Sequence, residues 1–541
     1  MKNISCRYLT IIQIIILVLL FSCKKDFNFD KTKDLNWNPD IALPLVNDSI
    51  TFESAIPIFG TDKNFYIDEE GNVSLLYYFR NNAFRILACD LLVLPPFPFA
   101  FNHEITPVEQ AILEIQDLII PPVTFPLNLA EDNPDVIIDK LLVKEGSIIV
   151  NSDCSFDNEG YLIISIPNAT VNGTPFSDTI RPFVSGNSND TIDLSNVLFD
   201  LSSGPNSTSI QIDGLLTKSK ELVAGDLMNS AFNVVIMKIG SFEGYLGQKT
   251  FPEIAESVRV TIFNNADVTG NMYFVEPSVS VTIVNSIGAP VENIITELKA
   301  FNSLSDSSLD IADRLGADSI INIESPVLGS NQSVIKMVDY TNDNTQNSMG
   351  DFFNIKPYHV FFNIHTRLNP NGQTMNFFSD TSSLYALLRV RLPLFGHFDN
   401  LSIQDTFSFT IASQEDIEFI EFKTHIVNGL PLQAKIQIYF VDYHYNILDS
   451  LTGSDVITIK EAPVDHSTFL PIPGMFGTVD TSYYFDPQKI KRIESVENML
   501  VKAVLQSADG GQENVKIKAA QSLRLNFTAR LHLKRNLEIG N

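Results

Sequence analysis

Short apolar segments separated by Asn, Asp, Gly and Pro recur through almost the whole chain. Residues 41–46, 73–79 and 162–166 are examples. Short apolar runs of this kind are typical of strands, and the separating residues favour turns. With 39 Phe, one Trp and few windows of helical period, the pattern predicts an all-β, mainly antiparallel fold. We expect two or three β-sandwich-like domains in tandem, with one or two short helices.

The length of 541 residues exceeds what one hydrophobic core usually organises. Shifts in texture along the chain predict an N-terminal β domain over 37–215, a middle β-sandwich domain over 216–340 and a C-terminal β domain over 341–541. The clearest helix is predicted near 487–500, where Asp486 suits the N-cap and Pro487 the first helical position. A weaker helix is predicted between 107 and 118.

One local sequence pattern occurs twice. The alternating segment 279–285 ends in Asn285 and turns through Gly288-Ala-Pro290, while the segment 422–428 ends in Asn428 and turns through Gly429-Leu-Pro431. Alternating strands resume after both turns. Two explanations are open: a chance likeness between two ordinary turns, or duplication of one β domain with two extra residues in the first copy.

The last alternating segment, 523–533, places apolar residues on one face and polar residues on the other. Arg524, Asn526, Arg530 and His532 form its polar face. Two roles for this basic face are open: docking of an acidic neighbouring domain, or protection of a sheet edge, which we favour.

The N-terminus has the layout of a secretory signal peptide over 1–22. Lys2 and Arg7 precede an apolar run from residue 9 to residue 21, which is too short to remain as a membrane span. The run ends at Leu20-Phe21-Ser22-Cys23, which resembles the lipobox of bacterial lipoproteins. This resemblance implies cleavage before Cys23 and lipid attachment to its thiol, so the membrane is an expected partner. Residues 23–36 are polar, lack periodicity and are predicted to be a flexible tether.

The lipobox, together with the segments 37–45, 244–248, 285–290 and 392–396, resembles large β-rich outer-membrane lipoproteins of Bacteroidota-type bacteria. The resemblance implies an outer-membrane location and supplies no functional residues. Residues 24–26 partly resemble the surface-export signal of such lipoproteins, which favours the cell surface over the periplasmic face. The stretch 277–290 also resembles the small β-sandwich domains of desiccation-associated late embryogenesis abundant proteins.

In bacteria of that type, Asp-(Ser/Thr)-aliphatic tripeptides carry O-glycans, and five such tripeptides occur in this chain. The resemblance therefore implies candidate O-glycosylation, which would add bulk at exposed loops. The acceptor residues would be Ser49, Thr179, Thr191, Ser319 and Ser450.

Charge and reactive residues restrict the possible roles. The formal net charge of −27 argues against a nucleic-acid partner, because an acidic surface repels phosphates. After signal removal and acylation, Cys89 and Cys154 remain as a candidate disulfide pair or as two free thiols. His359 and His365 share one predicted strand and one face, but roughly 20 Å of strand separates them, so they cannot share a metal.

The sequence contains no G-x-S-x-G, H-E-x-x-H, Walker or C-x-x-C motif. We therefore expect no enzyme activity, no cofactor and no metal site. The leading hypothesis is a lipid-anchored, non-catalytic cell-envelope protein that acts as a structural or protein-interaction module for another envelope protein. The alternatives are a lipid or hydrophobic-ligand binding protein and a glycan-binding or glycan-processing surface protein.

Overall fold

A computed structural model describes residues 36–37, 40–51, 65–78, 85–130, 134–264, 269–330, 332–410, 417–533 and 535–536. About 59% of the structure is strand and 8% is helix, and the strands form several antiparallel sheets. The prediction of an all-β, mainly antiparallel fold is therefore confirmed. The signal peptide over 1–22, Cys23 and nearly all of the tether lie outside the described residues.

The strands are numbered in chain order. The first five are β1 (Asn36–Trp37), β2 (Asp40–Thr51), β3 (Phe65–Ile67), β4 (Val73–Tyr78) and β5 (Arg85–Leu87). The next nine are β6 (Phe97–Glu104), β7 (Leu118–Asn128), β8 (Ile137–Cys154), β9 (Tyr161–Val171), β10 (Thr174–Ile180), β11 (Gly186–Asp193), β12 (Val197–Asp200), β13 (Ser207–Leu216) and β14 (Leu227–Tyr245). Eleven follow: β15 (Lys249–Thr250), β16 (Ile254–Arg259), β17 (Thr269–Phe274), β18 (Ser278–Asn285), β19 (Val291–Asn302), β20 (Ser307–Asp310), β21 (Ile320–Ile323), β22 (Val334–Tyr340), β23 (His359–Leu368), β24 (Asn376–Ser379) and β25 (Ser383–Pro393). The last twelve are β26 (Phe395–Ser408), β27 (Ile417–Asn428), β28 (Gln433–Val441), β29 (Ile447–Ser450), β30 (Ile457–Ile459), β31 (Val464–Asp465), β32 (Leu470–Pro471), β33 (Gly477–Phe485), β34 (Asn498–Gln506), β35 (Val515–Lys516), β36 (Ser522–Leu533) and β37 (Arg535–Asn536).

The described residues contain four short α-helices, α1 (Pro107–Leu113), α2 (Ser348–Asn354), α3 (Pro487–Arg492) and α4 (Ala508–Gly511), and four 3-10 helices, Ala88–Asp90, Thr261–Asn264, Ala312–Arg314 and Gly316–Ser319. Helix α3 begins as predicted, because the Asp486 carboxylate accepts the Lys489 backbone N–H at 2.8 Å. Its predicted extension to residue 500 is wrong. The helix ends at Arg492, and Leu500 belongs to β34, where it pairs with Thr406 and Tyr439.

Strands β6 to β14 form most of one curled sheet, which we call the N-terminal sheet domain. Its longest strands, β8 and β14, have 18 and 19 residues and pair along most of their length. The edge strands β6 and β7 approach each other through Phe99 and Phe125, whose ring centroids lie 4.7 Å apart. Both edges contain proline, which lacks the N–H needed for backbone pairing.

The middle sandwich is built from two sheets. One sheet has the order β22-β18-β25-β4-β3, with β5 also on β25. The other centres on β19 and β23, flanked by β15, β16, β20 and β21. Val279, Val281 and Ile283 of β18 are fully buried, as are Val360 and Phe362 of β23. Alternate residues of the strands therefore build the core between the sheets, as expected for an aligned sandwich.

The C-terminal sandwich repeats this arrangement. One sheet has the order β2-β36-β27-β33, and the other joins β26, β34 and β28, with β17, β29, β30 and β35 at its margins. Its core is rich in phenylalanine. The Phe422 ring stacks on Phe527 with centroids 5.5 Å apart and meets Phe440 and Phe485 at 5.6 and 5.0 Å.

Strand pairing crosses the predicted domain boundaries at 215 and 340. Strand β14 continues the sheet of β6 to β13 as far as residue 245, and the early strands β2 and β4 pair with β36 and β25. The period of a strand predicts which face is buried but not which strand lies beside it. Consequently, the tandem order of the chain does not correspond to the order of the sheets.

The two segments that suggested a duplication form the same turn around a buried asparagine, without the predicted two-residue gap. The Asn285 side chain accepts the N–H of Ile287 at 2.9 Å and donates to the carbonyls of Ala289 at 2.9 Å and Glu324 at 3.3 Å.

Asn428 makes the same bonds two and four residues further on. Its side chain accepts the N–H of Leu430 at 3.0 Å and donates to the carbonyls of Leu432 at 2.8 Å and Lys460 at 3.0 Å. The two turns therefore match without insertion, and the Gly-x-Pro tripeptides occupy different positions in them. The buried asparagine is what the two copies share.

Candidate interaction surface

The shared turn gives a residue-by-residue correspondence between the outer faces of the two sandwiches. Strand β18 pairs with β22 and β25, and β27 pairs with β33 and β36, in the same antiparallel order. Asn285 lies opposite Val334 and Leu384, and Asn428 lies opposite Gly477 and Leu523. Counting back from each asparagine aligns the remaining positions, so that different side chains at one position can be compared directly.

The outer face of the middle sandwich is largely apolar near this turn. Two cross-strand rows carry the apolar side chains: Ile335, Val284 and Tyr385 form the first row, and Met337, Thr282 and Leu387 form the second. The exposed fractions are 65% for Ile335, 52% for Met337 and 43% for Leu387. We call these six residues the apolar face. Directly opposite residues in a sheet have Cβ atoms about 4.5–5.5 Å apart, so the face is continuous.

The next row limits the apolar face with charge. Arg389 donates to the Ser280 hydroxyl at 2.9 Å and lies 3.7 Å from the Asp339 carboxylate. Tyr78 of β4 continues this row and is largely exposed. An apolar centre with a polar margin is the usual composition of a protein–protein contact.

The same face of the C-terminal sandwich is polar. Thr478, Val427 and Arg524 occupy the positions of the first apolar row, and Asp480, His425 and Asn526 occupy those of the second. The His425 imidazole lies 2.7 Å from the Asp480 carboxylate. A shallow concavity of about 390 Å³ follows this face, lined by Lys423, Thr424, His425, Asp480, Thr481, Ser482, Asn526 and Thr528.

Further along the C-terminal face, a carboxylate is covered by its neighbours. Glu421 is only 6% exposed, and its carboxylate accepts the Tyr484 hydroxyl at 2.9 Å. The Lys423 ammonium lies at 3.4 Å and the Arg530 guanidinium at 3.8 Å. Burial raises the pKa of Glu421, but Tyr484, Lys423 and Arg530 outweigh it and hold the pKa below its usual value.

A second carboxylate on this face joins β2 to β36. Asp40 lies beside Arg530, and its other oxygen is 2.6 Å from the His532 imidazole. The hydrogen bonds from His532 and Arg530 hold the pKa of Asp40 below its usual value. Strand β36 lies between β2 and β27, so the prediction that its basic face protects a sheet edge is wrong. Its Arg530 and His532 lie beside Asp40, and Arg530 also lies 3.8 Å from Glu421.

Two further concavities lie on the N-terminal sheet domain. One, of about 330 Å³, is lined mostly by polar residues: Ala100, Asn102, Asn151, Ser152, Asp153, Asn187, Asn189, Asn229, Ser230 and Ala231. The other, of about 430 Å³, lies between the two unpaired edges and exposes both polar and apolar atoms. Its lining comprises Pro95, Pro96, Phe97, Pro98, Phe99, Pro126, Leu127, Asn128 and Ile210. We call it the proline groove.

The five predicted glycosylation acceptors lie in different environments. Ser49, Thr179 and Thr191 are exposed on strands, so they have room for a glycan. Ser319 is half-buried, and its hydroxyl donates to the Gly316 carbonyl at 2.7 Å. Ser450 is buried and donates to the Gly453 carbonyl at 2.9 Å. The folded chain therefore cannot present Ser450 for glycosylation.

The candidate disulfide is not formed, because Cys89 and Cys154 are both free thiols. The Cys154 thiol is buried and donates to the Phe156 carbonyl at 3.2 Å. Burial raises the pKa of both thiols, which disfavours the reactive thiolate. The two sulfurs therefore serve as ordinary packing groups in this structure.

His359 and His365 lie on one face of β23, as predicted. Within the part of the chain that the structure describes, no three His, Cys, Asp or Glu side chains converge as a metal site. Over the same residues, no helix is long and apolar enough to cross a membrane.

Sequence reasoning did not identify the apolar face. Leu387 lies between Ala386 and Leu388 in the sequence, and Ile335 and Met337 each have a valine on one side, so none of the three stands out from core residues. The available signal was the repeat itself. Once the two asparagines are aligned without a gap, apolar residues in one copy stand against Thr478, Asp480 and Asn526 in the other.

Comparison with known proteins gives only distant likenesses. No protein family and no curated protein matches the chain. A crystal structure of a protein from Parabacteroides distasonis classed as secreted is similar with a TM-score of 0.31 and 10% identity, covering 54% of this chain and 89% of that one. The triple jelly roll protein of an archaeal virus has a TM-score of 0.12 and 10% identity, covering 85% and 94%. These TM-scores are too low to assign a fold or a function.

Proposed function

We propose that this chain is a lipid-anchored, non-catalytic module of the cell envelope, located at the outer membrane, that binds another envelope protein through the apolar face. Residues 20–23 support the anchor through their resemblance to a lipobox. The apolar face supports the binding role, because exposed Ile335, Met337 and Leu387 stand where the other copy of the domain has Thr478, Asp480 and Asn526.

The contrast between the two copies supports a binding role for the apolar residues. Both faces belong to sheets of the same topology, and both sandwiches bury their cores on the opposite side. Exposed apolar groups add nothing to such a core, and contiguous apolar patches commonly mark interaction sites. We propose a protein partner because an apolar centre bordered by a charged row is the usual composition of a protein–protein contact.

Crosslinking in intact cells tests the binding role. A photo-crosslinking residue at position 337 should capture one reproducible neighbour, whereas the same residue at position 480 should capture none. These positions are equivalent in the two sandwiches, so each serves as the control for the other. The proposal fails if both positions give the same adducts or if position 337 gives no adduct.

The anchor is tested separately by mass spectrometry of the mature protein. Acylation should add the mass of a diglyceride and fatty acid to Cys23, and Cys23→Ser should abolish the addition. Protease treatment of intact cells should then degrade the protein if it faces outward, as proposed. Protection from the protease would place it on the periplasmic face.

A second candidate function, binding of a hydrophobic ligand, is favoured by the proline groove. Phe97 and Phe99 offer rings at its wall, and β6 and β7 leave it open at the surface. Native mass spectrometry of the purified protein should then show an apolar ligand that Phe97→Asp displaces. If native mass spectrometry of the unmutated protein shows only the ligand-free mass, this candidate function is excluded.

A further inference from the structure

We infer that the end of the C-terminal sandwich where the tether enters rests on the membrane surface, with the hairpin tip formed by Tyr443 and Tyr445 at the lipid headgroups. This inference rests on the acylation of Cys23 proposed above and adds an orientation to it. The occupant of this surface is a bilayer, and not a protein partner.

The tether joins the fold through β1 and β2. Asn36 and Trp37 pair with Asn536 and Arg535, and Asp40 of β2 pairs with His532 of β36. The described end of the tether therefore joins the C-terminal sandwich. Cys23 is 13 residues from Asn36, a chain that reaches at most about 45 Å.

The Tyr443 hairpin lies at the end of the C-terminal sandwich where the tether joins. Strand β28 ends at Val441, and the hairpin 442–446 connects it to β29. The Phe440 ring lies 5.5 Å from the Phe485 ring, and Phe485 pairs with Ile420. Ile420 pairs with Leu531, which pairs with Ile41 of β2. Strand β28, which leads into the hairpin, is therefore connected through Phe485, Ile420 and Leu531 to the start of β2.

The tip of the hairpin exposes large apolar side chains to solvent. Tyr443 is 71% exposed, Tyr445 61% and Ile447 59%. The turn that presents them is fixed, because the Asp442 carboxylate accepts the N–H groups of His444 and Asn446 at 2.8 Å each. Tyrosine is enriched where membranes meet water, since its ring is apolar and its hydroxyl is polar.

The charges at this end decide which lipids are expected. Helix α3 contributes Lys489 and Lys491, but Asp442, Glu494 and Glu497 lie on the neighbouring turns. The mixture of signs gives no net attraction to anionic lipids. Contact should therefore form on zwitterionic bilayers and should not require anionic lipid.

The opposite end of the sandwich supplies a matched control. Phe476 is 52% exposed and precedes Gly477, which pairs with Asn428 at the far end of β27. A 12-residue strand such as β2 spans about 40 Å. Phe476 is therefore held away from a membrane that contacts Tyr443.

Tryptophan fluorescence in the full lipidated protein tests the inference. Trp37 is the only tryptophan, so Trp37→Phe gives a silent background for two reporters, Tyr443→Trp and Phe476→Trp. The proteins are reconstituted in phosphatidylcholine vesicles containing brominated acyl chains, with circular dichroism as the check of folding. Bromine should quench the Tyr443→Trp reporter at least about twofold more than the Phe476→Trp reporter, as expected for a residue at the interface.

The outcomes distinguish failure of the proposed orientation from failure of the proposed lipid anchor. Equal quenching of both reporters, stronger quenching at 476, or no quenching while Cys23 is acylated would overturn the orientation and leave the anchor intact. An unmodified Cys23 would overturn both proposals. A second measurement uses the unmutated lipidated protein: hydrogen exchange in residues 442–447 should slow in vesicles relative to the Cys23→Ser protein, whereas exchange in 472–476 should not change.

Discussion

The middle and C-terminal sandwiches share a topology and a buried asparagine turn, yet their outer faces differ. The middle sandwich exposes Ile335 and Met337, whereas the C-terminal sandwich exposes Thr478 and Asp480 at the same positions. The core and the turn are needed to form each sandwich, and the outer face is free to differ between them. The difference matches the proposed binding role of the middle face, and it leaves the C-terminal face with a self-contained charge network.

The largest expected effect concerns what the two copies share. Asn285→Ala or Asn428→Ala removes a buried side chain that makes three hydrogen bonds and leaves backbone groups unpaired. We expect each change to lower the free energy of unfolding of its own sandwich by about 3 kcal/mol. Hydrogen exchange resolved by strand measures the two sandwiches separately.

The control for each substitution is the other sandwich of the same chain, which carries no change. Asn285→Ala should leave exchange in β27 unchanged, and Asn428→Ala should leave exchange in β18 unchanged. A loss well below 1 kcal/mol in the mutated copy would mean that the turn does not depend on its asparagine, and the structural repeat would lose its common element.

An intermediate effect is expected from acid at the Asp40 pair of the C-terminal sandwich. The pKa of Asp40 is held below its usual value of 3.8 by His532 and Arg530. The carboxylate therefore stabilises the fold above that pH, and the contribution is lost as the pH falls through the lowered pKa. Below about pH 4, exchange in β2 should rise several-fold.

The equivalent pair in the middle sandwich has no such group. Ser74 of β4 and Pro393 of β25 stand at the positions of Asp40 and His532, so the middle sandwich has no equivalent ion pair there. Asp40→Asn should reproduce the effect on β2 at neutral pH. If the acid sensitivity of β2 persists unchanged in Asp40→Asn, Asp40 is not the cause.

The smallest effect on stability, and the most specific for function, comes from exchanging the two faces. Met337→Asp and Asp480→Met place each residue in the other copy, and both positions are exposed strand surface. Each change should alter the free energy of unfolding by less than about 0.5 kcal/mol. Met337→Asp should nevertheless abolish crosslinking from position 387, while Asp480→Met should leave it intact. Retained crosslinking with Met337→Asp would break the link between the apolar face and binding.

Much of the fold was predictable from local pattern. The alternation gave the all-β class, Asp486 and Pro487 gave the start of α3, and the doubled asparagine segments gave the repeat. The sheets were not predictable, because β2 and β4 join strands hundreds of residues away and period two carries no information about partners. The apolar face was missed for a related reason: whether Met337 is core or surface depends on what covers the strand.

The pairing of β2 with β36 has a consequence for how the chain reaches its final state. Asp40 and His532 are 492 residues apart, so one partner is synthesised near the start and the other near the end. Contacts between such distant residues form slowly, because a long loop must close first. The C-terminal sandwich therefore completes its sheet only after almost the entire polypeptide has emerged. Until then, Ile41 and Leu43 lack their neighbours on β36, so nascent chains truncated before residue 522 would expose a strand prone to aggregation.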